Sequence, residues 1–278
     1  MTYSEAVHKA KCCLEQHEVP DPGIDALLLL QFVCGITRAH YYAVREDRMP
    51  EEEFDRYMEL IQRRSARIPL QQLTGEQQFM GLPFHVSEDV LTPRQDTESL
   101  VEEALKRARP GAKILDLCTG SGCILISLLK LGPDLEGTGS DLSEKALEIA
   151  AENAEMNKVE VSFVQSDLFA RIPGTFDMIV SNPPYIVSSV IGSLMEEVRD
   201  HEPLMALDGG TDGLDFYRRI VPESVDHLNP GGWLIVEIGY DQGDLVRSIF
   251  VDHQYKDIDV IRDLGGNDRV VLGRKAIV

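Results

Sequence analysis

At about 150 residues per domain, a chain of 278 residues is expected to form two domains, and its 43% apolar content is enough to bury a core in each. Natively disordered protein is excluded. Asp and Glu number 47 against 27 Lys and Arg, so the net charge is −20, and such a surface repels phosphate backbones and anionic lipid. Neither duplex nucleic-acid binding nor membrane binding is expected. The longest apolar run near the start, residues 26–30, is far short of the roughly 20 residues that span a bilayer. Glu5, Glu15 and Glu18 mixed with Lys9 and Lys11 match neither a secretory nor a transit signal, so the expected location is the cytoplasm. Five cysteines, Cys12, Cys13, Cys34, Cys118 and Cys123, are odd in number and lack CxxC spacing, which reads as reduced thiols and neither a disulfide framework nor a zinc site.

In chain order, residues 2–67 carry apolar side chains at three- and four-residue spacing, as in Leu27, Leu30, Val33 and Cys34, or Phe54, Tyr57, Met58 and Ile61. Four or so short helices are predicted, broken at residues 20–23, at 35–37, and before Pro50, read as a first helical residue. Gly75, Gly81 and Pro83 punctuate residues 74–93, which predicts a β-hairpin connector. Asp96 is expected to cap a helix through Leu100, Val101, Ala104 and Leu105. Strands are then predicted at 113–117, 137–140, 159–164, 176–181, 233–238, 256–261 and 270–273, with helices at 123–131, 143–156 and 215–228 between the first five. That alternation predicts an α/β fold with a mostly parallel sheet, ligands at the carboxyl ends of its strands, and an antiparallel hairpin at one edge.

The run Asp116-Leu117-Cys118-Thr119-Gly120-Ser121-Gly122 closes the first strand of the alternating region with a small-residue turn, where glycines let the backbone approach a ligand. A dinucleotide turn would want GxGxxG, but Leu125 stands where the third glycine belongs, and the Asp116 carboxylate would repel a pyrophosphate. A carboxylate there suits a ligand with an ammonium group and no phosphate, such as S-adenosylmethionine. Asp141 ends the second strand and is placed to accept ribose hydroxyls. Asp167 ends the third, where it could receive an adenine amine, with Leu168 or Phe169 over the ring. Any one of these acids could equally be a cap for the segment that follows it. Three at successive strand ends favour the cofactor.

The fourth strand runs directly into Asn182-Pro183-Pro184-Tyr185. Pro183 keeps Asn182 out of the helical region, and two prolines bring no backbone donors, so the loop is a rigid array of acceptors. Such an array suits a planar amine: the Asn182 side-chain oxygen and the Pro183 carbonyl each accept one N–H, and Tyr185 covers the flat group. Holding a poorly nucleophilic amide nitrogen in line with a methyl sulfonium lowers the barrier by orientation and preorganised dipoles. Asn-Pro is also a common turn, which is the plainer reading of the tetrapeptide.

These motifs resemble the HemK/PrmC family, the release-factor glutamine methyltransferases. The resemblance extends over most of the chain. It rests on Arg67-Ile68-Pro69-Leu70-Gln71-Gln72-Leu73-Thr74-Gly75, on Leu91-Thr92-Pro93-Arg94-Gln95-Asp96-Thr97-Glu98, on the turn from Asp116, and on Ser181 to Ile186. It continues in Glu202-Pro203-Leu204-Met205-Ala206-Leu207 and in Glu237-Ile238-Gly239 with Gln242. It implies a helical substrate-docking domain at 1–73, a hairpin linker at 74–93, and a Rossmann-like class I methyltransferase domain at 94–278. It further implies methylation of N5 of the glutamine in the Gly-Gly-Gln (GGQ) motif of class I peptide-chain release factors. Cys118, Thr119, Gly120, Ser121, Gly122, Asp141 and Leu168 would then line the cofactor site, joined by Asp116, Asp167 and Asn182, and residues 182–185 would hold the glutamine. Two residues depart from the family pattern. Cys118 replaces the first glycine of the turn and is expected to narrow the methionine end of the site; Gln95 replaces a proline and is expected to loosen its loop. Arg94 is expected to make a salt bridge and no catalytic contact, and His201 to be solvated. A ribosomal-protein glutamine, an adenine-N6 nucleic-acid substrate, and a non-enzymatic binding module are the alternatives.

Overall fold

Helix-end chemistry organises the first of two units in the computed structural model, which describes residues 1–277. This unit comprises Met1–Gly75 together with Met195–His201. Thr2 and Glu5 form a capping box on the helix Tyr3–Gln16. Pro22 opens Pro22–Cys34, and Gly35 closes it in the left-handed conformation. Thr37 caps Arg38–Val44. The helix Glu51–Ser65 carries three glutamates in its first turn and Arg63 and Arg64 in its last, each sign at the end of the dipole that favours it. Pro50 is its N-cap, one position earlier than expected, and a fifth short helix, Leu70–Thr74, follows.

The apolar faces enclose Ala6, Ala10, Leu14, Leu29, Leu30, Tyr57 and Ile61, all fully buried. The Tyr57 hydroxyl donates to the Ala26 carbonyl at 2.8 Å, so the large ring enters the core without an unpaired polar atom. One charged cluster is buried beside it. Arg64 donates to Asp25 at 2.7 Å and to Glu197 at 2.9 Å, and Arg67 grips the same Glu197 at 2.8 and 2.6 Å. Because Arg64 is 4% exposed and both of its partners 8%, removing it leaves two carboxylates with too few partners in a dry site. Arg64→Ala should therefore lower stability by about 3–5 kcal/mol, read as a fall in the denaturation midpoint followed by helical circular dichroism.

The second unit, Glu76–Leu194 and Glu202–Val278, begins with the hairpin β1 (Glu76–Phe79) and β2 (Leu82–His85). The hairpin is built into this unit: Phe79 and Phe84 meet edge to face and join the core around Leu100, Ile124 and Leu125. Asn153 fixes it further, accepting from the His85 N–H and donating to the carbonyls of His85 and Ser121. Gln95–Thr97 forms one 3-10 turn ahead of the helix Glu98–Arg107. Asp96 does not cap that helix, because its carboxylate is drawn 3.1 Å from Arg269.

The main sheet contains β3 (Ala112–Leu117), β4 (Leu135–Asp141), β5 (Ser162–Gln165), β6 (Phe176–Ser181), β7 (Leu228–Glu237), β8 (Lys256–Arg262) and β9 (Asp268–Arg274). Their order is β5-β4-β3-β6-β7-β9-β8. The first five run parallel, and β9 lies antiparallel between β7 and β8. This is the expected doubly covered sheet with an antiparallel edge. Strand parity assigns Leu115, Leu117, Ile179 and Val236 to one core, and Ile114, Val180 and Ile235 to the other. β5 is shorter than predicted because Lys158, at φ 57°, ends the helix Glu144–Asn157, and the Val159 N–H closes back onto Ala154. The helices Cys123–Leu131 and Asp215–His227 agree closely with expectation, whereas Gly243–Asp252 was not foreseen: only Val246 and Phe250 mark its buried face beyond the opening glycine. No single helix among the described residues is long and apolar enough to cross a membrane.

Candidate active site

A cavity of about 340 Å³ opens at the carboxyl ends of β3, β4, β5 and β6. Its floor is the turn after β3. Cys118 stands there at φ 57°, with Gly120 at 53° and Gly122 at 78°. The left-handed region costs a side chain roughly 1–2 kcal/mol, which is why the position Cys118 occupies favours glycine. Gly122 has no latitude, since a Cβ there would come within 2.9 Å of Ile126 and 3.2 Å of Ala150. Asp141 ends β4 and clamps the turn, accepting from the N–H of Gly120 and of Ser143, each at 2.9 Å. Its carboxylate thus both caps the following segment and lines the cavity. Asp167 and Leu168 line it beyond β5, Asp167 paired with Arg219 at 2.8 Å and Leu168 held at φ 47°.

Beyond β6, the hydrogen bond from Ser181 Oγ to the Leu117 carbonyl, 2.8 Å long, draws two strand ends together. Asn182 and Pro184 line the cavity next to Cys118, Thr119, Gly120 and Ser121. Asn182 Nδ2 donates to Thr97 Oγ1 at 3.3 Å, a contact that joins residues 85 apart in sequence. The Tyr185 carbonyl receives Gln242 Nε2 at 3.0 Å, and Gly209 packs so closely that a Cβ there would lie 2.6 Å from Tyr185 Cα. The opposite wall includes Pro93 and Arg94 on one segment and Pro203 and Met205 on another. A salt bridge joins those segments: Arg94 Nη2 is 2.7 Å from each oxygen of the buried Glu202. The Arg94 pairing agrees with expectation. His201, in the first unit, bonds through its ring to the Ala66 carbonyl.

Four expected site residues lie outside the cavity wall. Asp116 has the parity of Ile114 and faces the apolar core side of the sheet, fully buried, with Thr119 Oγ1 donating to it at 2.6 Å and its Oδ1 unpaired. Gly122 sits one residue below the wall, against the helix core, and Pro183 is buried behind Asn182. Tyr185 packs on the hydrophobic core, and its hydroxyl reaches Glu237 Oε1 at 3.3 Å. Thr97, Glu202, Glu237 and Gln242 are the polar residues that the sequence reading left without a role, although all four lie in the family-like motifs.

Burial governs the electrostatics. It pushes Asp116 up to about 7, the Asp141 charge adding to this and Thr119 opposing it. Glu237 likewise rises to about 7 through burial, against the pull of Thr97, Arg269 and Tyr185. Burial raises Asp141 against its backbone donors, and it raises the Cys118 thiol with help from Asp141 and Asp116. An acid whose folded pKa is raised takes up a proton on folding, so the stability it contributes is full below its ordinary pKa and is lost as pH rises through about 7. Carboxyls held low, such as Glu103 and Glu197, act only below the ordinary carboxylate range. The melting temperature should therefore rise by a few degrees between pH 8.5 and 5.5, and Asp116→Asn should flatten that slope; thermal scans of both proteins, with an unchanged slope contradicting the assignment, make the check.

Comparison with known proteins adds a second line of observation. The PrmC N-terminal domain family matches residues 5–75, and the methyltransferase small domain family matches residues 94–198. A release factor glutamine methyltransferase from Geobacter sulfurreducens is 42% identical over 262 residues, covering 94% of this chain and 92% of that protein. One from Koribacter versatilis is 42% identical over 279 residues, covering 99% of each. The crystal structure of a methyltransferase from Pyrococcus furiosus is similar with a TM-score of 0.56 at 21% identity, over 72% of this chain and 91% of that one, a likeness of fold.

Proposed function

The chain belongs to the release factor glutamine methyltransferases, and from that premise we propose that it methylates N5 of the glutamine in the GGQ motif of class I peptide-chain release factors, working in the cytoplasm. It is an S-adenosylmethionine-dependent enzyme. The residues present fit that cofactor: the volume suits a nucleoside-sized ligand, and a Cβ at Gly120 would meet nothing within 4 Å, so the turn is open to a close backbone approach. When bound, the cofactor supplies an electrophilic methyl group.

Asp141 would accept the ribose hydroxyls from a carboxylate already anchored by two N–H groups. Asp167 and Leu168 would meet the adenine, and Cys118, Thr119 and Ser121 would flank the rest. The observation that carries the reading is the orientation of Asn182. Its Nδ2 is committed to Thr97, which leaves Oδ1 as the group offered to the substrate. Asn182 Oδ1 and the Pro183 carbonyl would take the two N–H groups of the glutamine amide and polarise its nitrogen, which needs no base before transfer. The displaced proton leaves to water. Helices of residues 1–73, which contain none of these groups, would dock the protein substrate.

Mass spectrometry of a purified release factor after incubation with enzyme and S-adenosylmethionine tests the reading: a gain of one methyl on a single glutamine is expected, and an unmodified factor would overturn it. Asp141→Ala should weaken cofactor binding by roughly 1–3 kcal/mol in calorimetry, because bound hydroxyls and the Gly120 N–H lose their acceptor. By contrast, Asn182→Ala should leave cofactor affinity within about twofold while single-turnover methyl transfer falls roughly a hundredfold or more. Near-normal turnover in that variant would mean that the loop does not hold the glutamine.

A further inference from the structure

We propose that Arg219 is a positioning residue of the cofactor site: from the helix Asp215–His227 it holds one oxygen of the Asp167 carboxylate and so aims the other at the adenine amine, with Phe216, one turn earlier, against the base. The proposal rests on the reading of Asp167 and Leu168 as the groups that meet adenine, and extends it to two side chains outside every motif used in reading the sequence. Arg219 Nη2 donates to Asp167 Oδ1 at 2.8 Å, across 52 residues of sequence, and among the described residues nothing donates to Oδ2. Asp167, Leu168, Phe216 and Arg219 all line the cavity.

The helix presents these side chains from a fixed position. Tyr217, Ile220 and Val221 are fully buried on its core side, and the Tyr217 hydroxyl donates to the Glu237 main-chain carbonyl at 2.8 Å. At its start the Asp215 N–H bonds to the Gly209 carbonyl, and the Gly213 carbonyl receives Gln242 Nε2 at 3.2 Å. Phe216 and Arg219 stand three residues apart, hence on one face, and that face borders the cavity. The adjacent Arg218 pairs instead with Asp212 and Asp215 near the start of the helix.

Both partners of the bridge are about half exposed, at 44% and 54%, and a pair so hydrated adds little to the stability of a fold. Its value lies at the ligand. A flat base resting against Leu168 and Phe216 would cover the pair, and the loss of water strengthens both the ion pair and a hydrogen bond to its second oxygen. Of the four acids on the cavity wall, Asp167 is the one paired with an arginine: Asp141 is held by N–H groups, Asp208 by Ser188 and the Gly210 N–H, and Asp89 by Lys145. With Oδ1 engaged, Oδ2 is an acceptor of fixed direction. Adenine brings an N–H to it, whereas hypoxanthine carries an oxo group on the same carbon and brings a second acceptor, which a carboxylate repels. Arg219 thereby makes this end of the site selective for a 6-amino purine.

Calorimetric titration of the full chain with S-adenosylhomocysteine and with S-inosylhomocysteine, which differ only at the base, measures that selectivity without any methyl transfer. The wild type should bind the adenine ligand at least about tenfold more tightly. Arg219→Ala should weaken the adenine ligand roughly tenfold and narrow the ratio of the two affinities to within about threefold, and Arg219→Lys should recover much of both. In an Asp167→Ala background Arg219→Ala should change nothing further, because the arginine acts through the carboxylate. Phe216→Ala should weaken both ligands alike, roughly tenfold, and leave the ratio as it was. A wild-type ratio in Arg219→Ala, with Asp167→Ala still abolishing it, would overturn the inference and leave the reading of Asp167 standing. Wild-type affinities in Phe216→Ala would place the base elsewhere and overturn the inference as well. A ratio that survives Asp167→Ala would overturn the reading of Asp167, and the inference with it.

Discussion

The hydrogen bond from Ser181 to the Leu117 carbonyl marks the constraint on which the site depends, the parallel register of β3 and β6. Parallel strands buried on both faces must end together at one edge, and Leu117 pairs with Ser181 so that the turn at Cys118 and the loop at Asn182 emerge side by side. The cavity-facing turn and the loop at Asn182 lie more than sixty residues apart in sequence, yet their separation in space is set by one step of the ladder. No flexible element intervenes between them.

That edge carries buried charge and strained backbone that a core built for stability alone would omit. Asp116 and Glu237 lie on one apolar face of the sheet, each with an oxygen lacking a partner, and the low-dielectric surroundings raise both toward neutrality. Cys118 and Leu168, both on the cavity wall, occupy the left-handed region that side chains avoid. Asp116 serves the turn at one remove, through Thr119, and Glu237 meets the acceptor loop through Tyr185. The destabilised groups thus cluster on and behind the cavity wall, and the apolar packing of the rest of the sheet offsets them.

Much of this was legible in the sequence because the signals are local. Periodicity gave the strands and the helices between them, and the glycine turn, Asp141 and the tetrapeptide after β6 announced the cavity. Asp116 shows the limit of reading strand ends without parity: alternation with Ile114 already placed it in the core, off the cavity wall. Tyr185 was read as a cover for the substrate because the hydroxyl partner that turns it inward, Glu237, is 52 residues away. Contacts such as Arg94 with Glu202, 108 residues apart, or Arg64 with Glu197, 133 apart, leave no trace in spacing. They are products of the tertiary fold, and only the motif resemblance pointed to some of their members.

The acceptor loop itself leaves little to chance. Prolines fix its backbone, Gln242 holds the Tyr185 carbonyl, the Ile186 N–H and carbonyl are bonded to Leu207 and Gly209, and Gly209 allows the two segments to touch. With the main chain so restrained, the freedom that matters most is the half-turn of the Asn182 amide, whose two ends are nearly equal in shape and opposite in hydrogen-bonding sense. Packing cannot distinguish them. A polar neighbour can, and here Nδ2 bonds to Thr97 Oγ1 at 3.3 Å. Rigid backbone supplies the position of the acceptor, while the contact with Thr97 distinguishes the two ends of its amide.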